Sequence, residues 1–143
     1  MRGQLLAVLA VGLLVAAEAP KDDAKSDLKK MEGSWKLAAG ETDGDKIAED
    51  GLKNSSLKIK GEKYDAKLGD STHEGKLTLD ATKKPKTMDA TDGDNTVKGI
   101  YELKGDELKI CISPPGQDRP TEFTSKAGSG HILRVWKREK KSE

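Results

Sequence analysis

Few residues in this chain are suited to chemistry: it has one cysteine, Cys111, and two histidines, His73 and His131. Ser129 stands two residues before His131, which brings together a hydroxyl and a base. However, the chain has no GxSxG elbow, and Ser129 lies in an ordinary Gly-rich loop that leads into a strand. A reactive thiolate needs a nearby cation or a helix N-terminus, whereas Cys111 lies in the middle of a predicted strand. We therefore predict no catalytic residue and do not expect an enzyme.

An acidic segment has the composition of a calcium-binding loop, with oxygen-bearing side chains at Asp89, Asp92, Asp94 and Asn95. An EF-hand loop needs a central Gly and a bidentate Glu at its last position. Here Gly93 comes too early and Ile100 holds the last position. A turn of residues that tolerate left-handed backbone geometry explains the same composition. Neither histidine has a second His or Cys at metal-ligand spacing, so we predict no metal and no cofactor.

The N-terminal segment is typical of a secretory signal peptide. Arg2 provides a short positive region, and an apolar run from Leu5 to Ala17 follows it. The pattern predicts a signal peptide over residues 1–17, with an alternative cut after residue 19. A flexible lead at 18–25, one folded domain at 26–139 and a charged tail at 140–143 would follow. The apolar run is short for a membrane span, so we expect an exported protein, periplasmic or extracellular, with no stable membrane insertion after cleavage.

Charge in this chain is abundant but balanced, with 26 Lys and Arg residues against 25 Asp and Glu residues. Most lysines alternate with apolar residues, which is the pattern of a solvated sheet face. Because no basic stripe is present to follow a phosphate backbone, nucleic acid is not an expected partner. A single cysteine excludes an internal disulfide, so the domain depends on its core. We expect a monomer.

Short strands with a period of two make up most of the chain. The clearest signal is a hairpin in which Tyr101 and Leu103 alternate with charged residues before a Gly105-Asp106 turn of type II′. Eight strands are predicted near 35–39, 57–59, 64–68, 75–79, 88–90, 97–103, 108–112 and 131–137, with a short helix at 26–31 capped by Ser26 or Asp27 and a brief helix within 46–53. Sequential strands without crossover helices exclude a parallel architecture and leave a sandwich or a barrel. An all-β, eight-stranded antiparallel up-and-down barrel is favoured because closure removes exposed edges.

The residues Gly33-Ser34-Trp35, after the short helix, resemble the GxW signature of lipocalins. Residues 28–139 resemble a lipocalin-like family of uncharacterised exported proteins expanded in Planctomycetes. The matching segments, in order, are GSWKL at 33–37, LKIKGEKY at 57–64, GIYELKGDELKIC at 99–111, RPTEF at 119–123 and GSGHIL at 128–133. The resemblance implies a small lipocalin-like barrel and no particular activity. It also implies that Trp35 packs at the closed end under a basic residue of the last strand, for which we expect Arg138 rather than the mid-strand Arg134.

The apolar phase of the strands predicts the barrel interior. The predicted ligand-binding set is Leu37, Leu57, Ile59, Tyr64, Leu77, Met88, Tyr101, Leu103 and Ile110, and the same phase adds Trp35, Leu68, Leu79, Leu108, Ile112 and Val135. A barrel of eight strands has room for side chains or for one small ligand. Aromatic residues are only 3% of the chain, so a flat ligand would find few stacking partners.

The Pro-rich loop, residues 114–130, is the most unusual local sequence. Its prolines stiffen the backbone and push preceding residues toward extended geometry. We expect a rim loop in which Pro114, Pro115, Arg119 and Phe123 gate the cavity or contact a partner, with Arg119 and Glu122 clamping the loop to the wall and Phe123 plugging an opening. The alternative is a rigid crossover between the last two strands.

Three functional hypotheses follow from a barrel of this kind. The first is non-catalytic binding of a small apolar or amphipathic molecule inside the barrel. The second is a packed barrel that serves as an envelope or extracellular protein-interaction module through its loops, with inhibition of secreted proteases by the Pro-rich loop as a third. Cavity volume separates the first two, since a contiguous apolar pocket of about 300 Å³ or more favours ligand binding.

Overall fold

The computed structural model describes residues 24–139, in which two short helices accompany nine strands. The predicted signal peptide and charged tail lie outside these residues, and residues 24 and 25 of the predicted lead are helical. The elements are α1 (residues 24–31), β1 (Gly33–Thr42), β2 (Asp45–Lys46), α2 (Glu49–Lys53), β3 (Ser55–Lys60), β4 (Lys63–Leu68), β5 (Ser71–Asp80), β6 (Lys86–Asp92), β7 (Asn95–Lys104), β8 (Glu107–Ile112) and β9 (Ile132–Arg138). Neither helix of this described range has the length and apolarity needed to cross a membrane.

Eight of the strands form one closed antiparallel barrel. Strands β3 to β9 pair in sequence order, and β1 pairs with both β3 and β9. The two-residue strand β2 pairs only with β1 and extends one edge of the barrel. Closure leaves every long strand with two neighbours, so no long edge is open for pairing with another chain. The predicted eight-stranded up-and-down barrel with a short N-terminal helix is confirmed.

Two-residue turns that begin with Gly connect four of the strand pairs. Gly61, Gly69, Gly93 and Gly105 have φ between 55° and 62°. The residue after each of them has a negative φ, and the flanking residues are paired across the turn. A positive φ at the first turn position alone defines type II′. The turn predicted at Gly105-Asp106 is therefore present, and three others share its geometry.

Helix α1 packs against one end of the barrel and closes it. Met31 is fully buried, and its carbonyl oxygen accepts a hydrogen bond of 2.9 Å from Trp35 Nε1. Asp27 is 6% exposed and accepts hydrogen bonds from the Tyr101 hydroxyl at 2.7 Å and from Lys86 Nζ at 2.9 Å. The prediction that Ser26 or Asp27 caps this helix is wrong, because the chain is already helical at residue 24. Asp27 instead ties the helix to β6 and β7.

Arg138 locks the same end from the last strand. Its guanidinium carbon lies 4.3 Å from the centroid of the Trp35 ring. Nη1 donates to the carbonyl oxygen of Glu32 at 2.6 Å, and Nη2 donates to that of Lys30. These two carbonyls are at the C-terminal end of α1, where helical carbonyl groups lack partners within the helix and carry partial negative charge. Arg138 is thus both the cation over the indole and the cap of the helix.

Candidate ligand cavity

A cavity of about 340 Å³ runs along the barrel axis. It extends from Met31 of α1 to the opposite end, where Pro115 of the Pro-rich loop borders it. Seven strands, β3 to β9, supply the rest of its wall. The lining residues are Met31, Leu57, Ile59, Tyr64, Ala66, Leu68, His73, Leu77, Met88, Ala90, Asp92, Asn95, Val97, Leu108, Ile110, Ile112, Pro115, Ile132, Arg134 and Trp136.

Small inward side chains leave this space open. Ala66 on β4 and Ala90 on β6, on either side of β5, occupy inward positions where leucines would fill much of the volume. Val97, the Cα partner of Ala90 on β7, adds a third short side chain. Because an alternating strand directs every second residue inward, three short residues at such positions remove side-chain volume from the interior. Most of the other residues that line the cavity are aliphatic.

Polar groups are concentrated at the end of the cavity that lies opposite α1. His73 Nδ1 is 3.3 Å from Asp92 Oδ2, and both side chains are 47% exposed. Asn95 borders the same opening. Burial, with the charge of Asp92 as a second cause, raises the pKa of the Tyr64 hydroxyl above its ordinary value. The opening therefore joins a partly wet, charged border to an apolar interior.

Arg134 is the cation of the cavity wall. It lies on β9 between Ile132 and Trp136, the inward neighbours on its strand, and its Cα partners are Gly40 and Ile110. Its Nε atom is buried and has no hydrogen-bond partner among residues 24–139. Burial lowers the pKa of its guanidinium, but an arginine starts so high that it remains charged at neutral pH.

The predicted ligand-binding set divides into two groups. Leu57, Ile59, Tyr64, Leu77, Met88 and Ile110 line the cavity. The other three, Leu37, Tyr101 and Leu103, pack in the core but do not line it. Tyr101 is near the α1 end, where its hydroxyl is bound to Asp27. These three residues support the barrel rather than contact its empty volume.

One predicted inward residue, Val135, has the opposite orientation. Arg134 and Trp136 line the cavity, so the alternation of β9 directs Val135 and Leu133 outward. The sequence HILRVWK permits either phase, because apolar residues occur at both even and odd positions. The outward residues of β9 are also apolar, because the Pro-rich loop covers this part of the outer wall. The residues Ile132, Arg134 and Trp136 were therefore missed as cavity residues.

The Pro-rich loop covers the outer wall of the barrel. Cys111 and Ile100, which are Cα partners on the outward phase, are 0% and 1% exposed. The Cys111 thiol donates to the Thr124 carbonyl oxygen at 3.3 Å, and burial raises its pKa. Ser113, just before the loop, donates from Oγ to the carbonyl oxygen of Asp118 at 2.5 Å. The loop thus gives this domain a second apolar layer outside the barrel.

Arg119 clamps the Pro-rich loop to the wall. Its Nη1 donates to the carbonyl oxygens of Met88 at 3.1 Å and Gly99 at 2.9 Å, and it lies 2.8 Å from Asp89 Oδ1. These contacts join the loop to β6 and β7. Arginine suits such a position because its planar group donates in several directions at once.

Only part of the rim interpretation agrees with the structure: Arg119 clamps the loop to the wall as expected, whereas Glu122 is exposed. Phe123 does not plug an opening, because its ring lies 5.6 Å from Nζ of Lys109, an outward residue of β8. Pro114 lies against Gly130 at the base of the loop. Of the four predicted rim residues, Pro115 borders the cavity. The loop is also the crossover between the last two barrel strands that the alternative interpretation describes, and contact with a partner stays a prediction.

Ser129 and His131, which bring together a hydroxyl and a base in the sequence, belong to a hydrogen-bonded turn. Ser129 Oγ donates to the Lys126 carbonyl oxygen at 2.5 Å and accepts from the His131 backbone N–H at 3.1 Å. This is a local turn in the Pro-rich loop and does not join a nucleophile to an imidazole. Within the described range, no group of three or more His, Cys, Asp or Glu residues is placed to hold a metal ion.

Comparison of this chain with models of protein families, with curated proteins and with solved structures finds no match. Its own fold and site define a class of architecture. This class is a closed eight-stranded antiparallel barrel, sealed at one end by a helix and containing an apolar cavity with one cation in its wall.

Proposed function

We propose that this protein is a non-catalytic binding protein that holds a small apolar or amphipathic molecule inside its barrel. The observation that carries the proposal is the contiguous cavity of about 340 Å³. This volume is at the lower end of the range, about 300–1,000 Å³, of sites that enclose small molecules. The alternative of a packed barrel acting only through its loops assumes a filled interior, and the cavity argues against that assumption.

The wall chemistry supports binding of apolar molecules through buried apolar area rather than through ring stacking. Leu57, Ile59, Leu77 and Met88 present flexible or branched carbon chains to the cavity, whereas Tyr64 and Trp136 are its aromatic residues. Export of the protein, periplasmic or extracellular, belongs to the same proposal and rests on the sequence of residues 1–17. The resemblance of residues 28–139 to lipocalin-like exported proteins also supports the proposal.

A neutral apolar dye tests the proposal directly. N-phenyl-1-naphthylamine should gain fluorescence with the wild-type protein and with Lys67→Phe, in which the new ring is on the exposed outer face of β4. The dye should gain little fluorescence with Ala66→Phe, because Ala66 lines the cavity and the new phenyl ring at this position would enter it. Both variants carry the same new side chain, so general hydrophobicity is controlled.

Two results would overturn the proposal. One is the absence of a fluorescence gain with the wild type, and the other is an equal gain with both variants. Thermal unfolding serves as an independent check on the cavity. If the space were already filled, Ala66→Phe would be overpacked and destabilised by about 1–3 kcal/mol, whereas a ring that enters empty space should leave stability nearly unchanged.

A further inference from the structure

Arg134 differs from the other arginines of the described range in having no partner there. Arg119 binds two carbonyl oxygens and Asp89, and Arg138 binds two carbonyl oxygens and Asp106. Residues 24–139 provide Arg134 with neither an ion pair nor a hydrogen bond to its buried Nε. A charged donor that is removed from water without an acceptor is costly, and proteins normally avoid it.

The surroundings of Arg134 offer no acceptor of opposite charge at short range. Its inward neighbours on β9 are Ile132 and Trp136, and the residues beside it on the adjoining strands are Gly40 and Ile110. One carboxylate, Asp92, borders the same cavity, but it lies at the opening and contacts His73. Arg134 is half-buried as a residue, and its buried Nε faces a largely apolar space without an acceptor.

We propose that Arg134 binds the carboxylate head of an aliphatic acid whose hydrocarbon tail lies along the apolar wall. The planar guanidinium presents paired N–H donors that match the two oxygens of a carboxylate. An apolar surrounding strengthens such a pair relative to water. This proposal rests on the proposed function, because it names the ligand class of the same cavity.

The test compares three ligands that have the same tail and different heads: decanoate, decanol and decylammonium. Each would displace N-phenyl-1-naphthylamine from the wild-type protein, from Arg134→Met and from Lys137→Met, at neutral pH and moderate salt. Lys137 is the matched control, because it is an exposed cation on the same strand. Methionine keeps an unbranched side chain of similar reach and removes the charge and the donors.

With the wild type and with Lys137→Met, we expect decanoate to bind at least about tenfold more tightly than decanol, as a charge-assisted hydrogen bond allows. With Arg134→Met this ratio should fall to about one, mainly through weaker decanoate binding. Decylammonium should bind no more tightly than decanol. Arg134→Met should unfold at the same temperature as the wild type or higher, because it removes a half-buried cation whose buried Nε has no partner among residues 24–139.

Three results would overturn the role of Arg134 and leave the cavity proposal intact: equal binding of decanoate and decanol by the wild type, an unchanged ratio in Arg134→Met, or tightest binding of decylammonium. Absence of a fluorescence gain when the dye is added to the wild type, before any ligand is present, would instead overturn the proposed function. Arg134→Gln provides the same comparison with a neutral polar side chain, so the result does not depend on how one variant folds.

Discussion

The guanidinium of Arg138, the last residue of β9, lies 4.3 Å from the ring centroid of Trp35, the third residue of β1. The two residues are also Cα partners where β1 and β9 meet to close the barrel. Trp35 is 0% exposed, and its Nε1 donates to the end of α1. The Trp35–Arg138 pair therefore lies where β1 and β9 close the barrel and also holds the end of α1 against the core.

Replacement of Arg138 should destabilise the protein. Arg138→Met removes the cation–π contact and the donors to the carbonyl oxygens of Glu32 and Lys30, at an expected cost of about 1–3 kcal/mol. Urea unfolding measures the loss. Lys137→Met, on the exposed neighbour, should change the free energy of unfolding by less than about 0.5 kcal/mol. Equal effects of the two changes would contradict the role given to Arg138.

Gly33 should be required beside this arginine. Its φ is +130°, and a Cβ at this position would be 2.8 Å from Arg138 Nη1. Gly33→Ala should therefore cost about 1–3 kcal/mol, from backbone strain and from displacement of the guanidinium. In an Arg138→Met background there is no guanidinium to displace, so Gly33→Ala should reduce the free energy of unfolding by less. A double-mutant cycle measures that difference, and strictly additive effects would show that the two residues are not coupled.

Asp27 should anchor helix α1 through its buried carboxylate. Asp27→Ala removes an acceptor from the Tyr101 hydroxyl and from Lys86, and we expect a loss of about 1–3 kcal/mol. Hydrogen exchange should show faster opening of α1 than of the barrel strands in this variant. Asp65→Ala, an exposed carboxylate on β4, serves as the control and should leave both measurements near wild type.

Release of the Pro-rich loop should expose the single thiol. Arg119→Met removes the clamp to β6 and β7, so local opening over Cys111 should become easier by about 1–3 kcal/mol. The rate of Cys111 modification by a thiol reagent should then rise at least about tenfold. Lys126→Met changes an exposed cation of the same loop and should leave the rate unchanged. An unchanged rate in Arg119→Met would mean that other contacts hold the loop.

The stability of the protein should depend on pH through Cys111. Burial raises the pKa of its thiol, so the folded state holds the proton more tightly than the unfolded chain does. This contribution is complete below the ordinary thiol pKa of about 8.5 and is lost as pH rises through the folded pKa. The free energy of unfolding should therefore fall more steeply above about pH 8.5 in the wild type than in Cys111→Ala. Parallel curves would exclude the thiol as the cause.

The barrel could be predicted because its signals are local. Alternation around Tyr101 and Leu103 and the Gly-first turn at Gly105 specify one hairpin, and each further hairpin repeats the signal. Arg138 could be preferred over Arg134 at Trp35 because a residue that ends the last strand reaches the closed end. In contrast, the inward face of β9 could not be predicted, since Val135 and Trp136 are both apolar and lie on opposite faces of the strand.

The sequence by itself determined the strands, their order and the turns, because neighbouring residues set alternation and turn geometry. The tertiary structure decided which apolar residues face the empty interior, where the Pro-rich loop packs and which cation lies without a partner. These properties depend on residues far apart in the chain. Ala66, Ala90 and Arg134 are ordinary in sequence, and only barrel closure brings them around one cavity. The Pro-rich loop covers the outer wall, so β9 carries apolar residues on both faces. Only the packing of the folded protein shows which face lines the cavity.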